Sequence, residues 1–196
     1  MAYFDLDEIL ATSQKVTCKA DENFSEEILT LLGQGRTHDS SEHRRRQKET
    51  KVEIPFWLLE ALMAKNSQFA TIELPRSYKS AFRQVLEADP VTVDMNRIGP
   101  YFYLFGCKLA SLSPPERAQL ATSLVQTFMG RVSWVMSRAQ HSKNDQRPNT
   151  LDKFECRLYD VSVASEADFS NWMENGRSAE VGRRSGSKRK FSQMTH

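Results

Sequence analysis

Residues Leu74 to Leu112 read LPRSYKSAFRQVLEADPVTVDMNRIGPYFYLFGCKLASL, and this stretch decides the fold. Tyr101, Phe102, Tyr103, Leu104 and Phe105 follow one another directly behind Gly99-Pro100. Proline in a first helical turn gives up no needed hydrogen bond, so Pro100 marks a helix start. Phe102, Phe105, Leu109 and Leu112 then recur at three- and four-residue steps, the period of a buried helix face. Tyr101 and Tyr103 fall off that stripe, while Gly106 and Ala110 are small enough to let another helix approach. The stretch predicts a packing helix, set against its own chain or against another. Just upstream, Tyr78, Phe82 and Val85 form a shorter stripe. It stops at Asp89-Pro90, because the residue before a proline avoids helical geometry.

Downstream the chain stays helical. Ser113-Pro114-Pro115-Glu116 is a capping-box pattern, in which Ser113 accepts from first-turn amides and Glu116 reciprocates. It predicts a long helix to about His141. Leu120, Leu124, Phe128, Val132 and Val135 mark one face of this helix, and Ala121, Val125, Met129 and Met136 widen it. More than a third of the circumference is then apolar, so such a helix is covered on more than one side. Asn144 to Asn149 read as a turn, and Thr150 as the cap of a last helix with Leu151, Phe154, Leu158 and Val161 in step. Asn175-Gly176 is its expected end. Trp172, near that end, reads as a plug for a core or an interface.

Upstream of Leu74 the pattern is mixed. Leu6, Ile9 and Leu10 share one side of a short helix, with Asp5 near its start. Lys15 to Ala20 alternates weakly like a strand, and Phe24 to Leu32 is apolar without a clear period. Gly33 to Glu49 has no large apolar residue and reads as a flexible loop. Its run His43-Arg44-Arg45-Arg46-Gln47-Lys48 suits a phosphate or import contact, but basic clusters are common and weakly specific, so a solvated insertion is the favoured reading. Lys51 to Leu74 reads strand, helix from Pro55, strand, with Trp57, Leu58, Ala61 and Leu62 on the face that a small sheet must cover.

Charge and composition exclude several classes. The chain has 196 residues and a formal charge of +2, but Gly176 to His196 alone carries six Lys/Arg against one Glu, which leaves −3 for residues 1 to 175. A body without net positive charge argues against strong autonomous nucleic-acid binding. No apolar run approaches the roughly 20 residues of a membrane span. The opening MAYFDLDEIL has acidic residues where a secretory signal has basic ones, so cytosol or nucleus is expected. Cys18, Cys107 and Cys156 are far apart, which excludes a zinc motif and suggests inert thiols, with Cys107 and Cys156 as small buried hydrophobes within helical patterns. His38, His43, His141 and His196 sit in no motif, and there is no nucleophile elbow, Walker loop or dinucleotide fingerprint. Asp5, Asp7, Glu8 and the Glu26-Glu27 pair lack the spacing of a metal site and read as solvated acidic faces. No catalytic, metal or cofactor site is expected.

An ordered set of short runs carries a family resemblance. Leu6-Asp7-Glu8-Ile9-Leu10, Ile54-Pro55-Phe56-Trp57-Leu58, Ile72-Glu73-Leu74-Pro75, Ala88-Asp89-Pro90, Gly99-Pro100-Tyr101-Phe102-Tyr103 and Gly106 with Leu109 come in sequence. Ser123-Leu124-Val125-Gln126-Thr127-Phe128-Met129-Gly130-Arg131 and Lys188-Arg189-Lys190-Phe191 complete it. The set, spread over nearly the whole chain, resembles the Psf-three family of GINS, the four-subunit eukaryotic replication factor. Gly33 to Glu49 departs from the family pattern.

The expected fold is mainly α with a small α+β part. A small N-terminal strand-containing domain spans 1–74 with its loop at 33–49. A C-terminal helical domain for subunit packing spans 75–175, and a disordered basic tail follows over 176–196. The resemblance implies a non-catalytic structural subunit of a nuclear heterotetramer. That complex joins the Mcm hexamer, where ATP hydrolysis resides, and its Cdc-forty-five co-activator in the replicative helicase for initiation and elongation, meeting DNA only through the assembly. Trp57, Tyr101, Phe102, Phe105, Leu109, Leu124, Phe128, Trp134 and Leu158 are the expected core or interface positions. Arg183, Arg184, Lys188, Arg189 and Lys190 resemble a nuclear import signal. The competing reading is a small nucleic-acid-binding protein that uses the Arg44 to Lys48 loop and the basic tail.

Overall fold

The computed structural model describes residues 5–20, 50–65, 70–112, 116–141 and 146–191, with side chains described as far as Asn175. The loop expected over Gly33 to Glu49, with its Arg44 to Lys48 cluster, lies outside the described residues. So do Phe24 to Leu32, Glu26-Glu27, Ser113-Pro114-Pro115 of the capping box, and the side chains of Arg183, Arg184, Lys188, Arg189 and Lys190.

The chain forms two compact units, one of 1–131 with 150–154 and one of 132–149 with 155–196. The first opens with helix α1 (Leu6–Thr12), whose N-cap Asp5 accepts from the Asp7 amide. Strand β1 (Lys15–Ala20) is the centre of a three-stranded antiparallel sheet, with β2 (Thr50–Pro55) on one side and β3 (Ala70–Ile72) on the other. Cys18 stands opposite both Val52 and Ile72. Val16, Cys18, Val52 and Ile54 are buried, so the alternation along each strand points one face into the core.

Pro55 belongs to β2, so helix α2 (Phe56–Lys65) starts one residue later than expected. The Phe56 amide still donates to the Gln14 carbonyl. Phe56 and Leu59 are buried, with Leu58, Leu62 and Met63 partly buried against the same core, whereas Trp57 is 54% exposed. Trp57 is not a core residue.

A 3₁₀ turn (Arg76–Tyr78) leads to helix α3 (Ser80–Ala88), which ends before Asp89-Pro90 as predicted. Tyr78 precedes that helix across an extended Lys79, so it does not share its period. Leu86 is buried on α3, whereas Val85 is exposed. After the short α4 (Met95–Ile98) come α5 (Phe102–Leu112) and the long α6 (Arg117–Gln140). The core of the first unit draws sheet, α2 and α5 together through Val16, Ile54, Phe56, Tyr78, Phe102, Phe105, Leu109 and Leu124. Phe105 sits edge-on to Phe56, and Tyr78 stacks on Phe102 and donates from its hydroxyl to the Phe102 carbonyl at 2.8 Å. Burial pushes the Tyr78 phenol far above its ordinary range.

Helix α7 (Lys153–Phe191) is the last element. Its cap is Asp152, whose carboxylate accepts from the Phe154 amide, rather than Thr150, whose carbonyl is taken by the Met95 amide. The backbone also stays helical through Asn175-Gly176 to Phe191. A glycine inside a helix costs only about 1 kcal/mol against alanine, and no proline follows to force a stop. The architecture is mainly α with a small antiparallel sheet, as the sequence predicted.

Candidate assembly surface

In the first unit, the carrier of that surface is held by one buried cation. Arg131 lies on the inward face of α6 with Leu120, Leu124 and Thr127, and is fully buried. Its Nη1 donates to the carbonyls of Pro90 at 2.6 Å, Val93 at 2.9 Å and Val91 at 3.3 Å, and its Nη2 to that of Thr150 at 3.3 Å. A planar guanidinium spends its rigid fork of donors on two loops at once. Gly130, beside it, makes room for the first loop: a Cβ there would meet Pro90 Cγ at 2.6 Å. At Gly106 a Cβ would lie 2.9 Å from Leu124 and 3.0 Å from Tyr78. The close approach expected there is therefore filled from within the chain.

Helix α1 is fastened by its polar side. Glu8 pairs with Lys108 of α5, and the Tyr101 hydroxyl donates to Asp7 at 3.3 Å. The hydrogen bond to Glu8 raises the Lys108 pKa. These acids are thus structural contacts, and among the described residues no three His, Cys, Asp or Glu side chains stand together as a metal site. The expected apolar side of α1 faces outward: Leu6, Ile9 and Leu10 are exposed, and Ala11 is the buried residue.

Among the described residues, further large apolar side chains are exposed on the last two helices. In the first unit, Val125 and Met129 are more than 60% exposed one turn apart on α6, and Phe154 is exposed at its edge. Phe154 still leans on the rings of Tyr103 and Phe128, with centroids 6.3 and 5.4 Å away. In the second unit, α7 buries Glu155, Tyr159 and Ser162 and turns Val161, Phe169, Trp172 and Met173 to solvent. Val161 and Trp172 lie about three turns apart, hence on one side, and Phe169 and Leu158 fall beside them. Phe169 and Trp172 touch, with ring centroids 6.0 Å apart. A stripe of large apolar side chains with water on it gains free energy from being covered.

The expected positions divide on burial. Tyr101, Phe102, Phe105, Leu109 and Leu124 are buried, and Phe128, Trp134 and Leu158 are half-buried. Tyr101 and Tyr103, though off the stripe, are buried as well, against Asp7 and against the Phe102 and Phe128 rings. Trp134 carries the Arg138 guanidinium over its ring at 5.9 Å. The sequence missed Arg131, Thr127 and Glu155 as buried polar residues. Spacing on the helix faces was the one available signal, since Thr127 and Arg131 fall in step with Leu120 and Leu124. Among the cysteines, Cys18 is the buried one, its thiol pushed up to about 11 by burial. Cys107, expected inside, is exposed, because it falls opposite the Phe102 and Leu109 face of α5.

Most of the chain matches known proteins in sequence. Residues 4–64 match the family described as the PSF3 N-terminal domain. Over 98% of its length the chain is 31% identical to the mouse DNA replication complex GINS protein PSF3, covering 91% of it. It is 30% identical to the fission yeast protein of that name, over 89% of the chain and 99% of the relative. To the Xenopus laevis protein it is 29% identical, over 91% of the chain and 83% of the relative.

Proposed function

The chain belongs to the PSF3 family of DNA replication complex GINS proteins, and from this we propose that it is a non-catalytic structural subunit of a GINS heterotetramer. Within that assembly it works in the nucleus, where GINS joins the Mcm hexamer and its Cdc-forty-five co-activator in the replicative helicase. It meets DNA only through the complex. One observation carries the reading: α7 holds Val161, Phe169 and Trp172 more than half exposed on one side, while the core of the first unit is complete without them. A stripe of that kind fits helix-on-helix packing between chains, in which aromatic anchors supply most of the binding energy.

The division of labour follows the sequence. Residues 75–175 make the subunit contacts, with Leu158, Trp134 and Phe128 at the edges of the packed faces. The small 1–74 domain docks GINS on other replisome components through Trp57 and the outward Leu6, Ile9 and Leu10. The matched family domain covers residues 4–64 of that part, which shares its core with α5 and α6. The basic residues Arg183, Arg184, Lys188, Arg189 and Lys190, on the last part of α7, are read as an import signal.

Co-expression with the other three GINS subunits, followed by sizing and native mass measurement, tests the assembly. A complex with one copy of each subunit is expected. A chain that elutes alone in the presence of all three sinks the reading.

A further inference from the structure

The end of α7 holds a serine inside its basic cluster. The backbone is helical to Phe191, and from Arg183 the sequence reads RRSGSKRKF. Residues three and four apart on a helix are neighbours, so Ser187 shares one side with Arg183, Arg184 and Lys190. No other serine of α7 has basic residues at both the third and the fourth position before it. Between Arg183 and Lys190 there are five Lys/Arg and no Asp or Glu. Gly182 and Gly186 fall just before and inside this stretch, and each weakens a helix. The segment therefore opens readily into the extended form that a kinase cleft reads.

We propose that Ser187 is a phosphorylation site for a serine kinase whose acidic cleft selects basic residues ahead of the acceptor, and that the phosphate weakens the import signal. The second half rests on the import reading above. In the transfer, the Ser187 hydroxyl oxygen bonds to the γ-phosphorus of ATP as the bond to the ADP oxygen breaks, and the hydroxyl proton passes to a carboxylate of the kinase. Charge complementarity between substrate and cleft is what selects the acceptor. A phosphate adds about −1.5 to −2, so a run of net +5 falls to roughly +3. Positions 183, 184 and 190 lie within about one turn of it, where helical spacing favours ion pairs with its oxygens. The negative end of the helix dipole opposes this, but it amounts to about half a charge against three cations. Pairing wins, and cations engaged by their own helix are withdrawn from a receptor that must read them.

The test treats the full chain with ATP and the catalytic domain of protein kinase C, with intact-mass readout and fragment mapping. A phosphate on Ser187 is expected. Ser187→Ala should remove it, and replacing Arg183 and Arg184 together by Ala should slow its addition about tenfold. The same phosphate should be found on the chain expressed in eukaryotic cells under phosphatase inhibition. No phosphate on Ser187 in either setting, or a rate indifferent to the two arginines, overturns the site. Affinity for the import receptor importin α, measured before and after phosphorylation, should fall about tenfold. Equal affinity overturns the masking. An unphosphorylated chain that does not bind the receptor removes the import reading instead, while the mass readout still decides the site.

Discussion

Helices α5 and α7 are both rich in large apolar side chains, and they place them oppositely. On α5, Phe102, Tyr103, Phe105, Leu109 and Ala110 are buried. On α7, Val161, Phe169 and Trp172 are more than half exposed. The first helix belongs to a core that is already closed by the sheet, α2 and Tyr78. The second keeps a stripe that its own unit does not use. Apolar content alone therefore does not separate a folding element from an assembling one; the presence of covering atoms does.

The contrast breaks most visibly in the α5 core. Leu109→Asp places an unpaired charge where Leu109 is fully buried, and several kcal/mol of stability should be lost, read as the loss of the cooperative unfolding transition. Arg131→Met comes next. It leaves the carbonyls of Pro90 and Val93 without their donor, at about 1–3 kcal/mol each, and urea denaturation of the assembled protein should show a fall of about 3 kcal/mol. Gly106→Val drives methyl groups against Leu124 and Tyr78, and a loss of about 1–3 kcal/mol is expected from the same measurement.

On α7 the expectation reverses. Trp172→Asp should change the chain's own stability by no more than about 0.5 kcal/mol, because the side chain is 67% exposed, yet remove it from the complex on sizing. The smallest effect is electrostatic. Lys51 and Lys79, hydrogen-bonded to Glu73, hold its carboxyl below the usual range. A depressed folded value means that this contribution is complete above the ordinary carboxylate pKa and fades as pH falls through the depressed one. The thermal midpoint of Glu73→Gln should therefore lie slightly below the parent's at neutral pH and converge on it in acid.

Much of this contrast was legible in the sequence. The three- and four-residue steps from Phe102 to Leu112 identified a buried helix, and Asp89-Pro90 ended α3 where it does end. The strand pattern of Lys51 to Ile54 was right, but keeping Pro55 in β2 shifted the following helix by one residue. Phe56 rather than Trp57 faces inward, continuing the alternation of the buried Val52 and Ile54. Buried charge was not legible: Arg131 reads as surface until the loops at Pro90 and Thr150 are folded around it. Thr150 was the right kind of residue for a cap, two positions early. For α7, spacing revealed the apolar stripe, but period says nothing about whether water or a neighbour lies on it. The helix end expected at Gly176 failed because an isolated glycine weakens a helix without stopping it.

Hydroxyl-radical footprinting of Trp172 and Phe169, in the chain alone and in the four-subunit complex, tests the central contrast directly. Phe102, 3% exposed, serves as the internal reference and should be protected in both. Strong oxidation of Trp172 and Phe169 in the lone chain, with protection on assembly, is the predicted result. Equal oxidation of both residues with and without the other subunits would contradict the assignment of α7 as the assembling face.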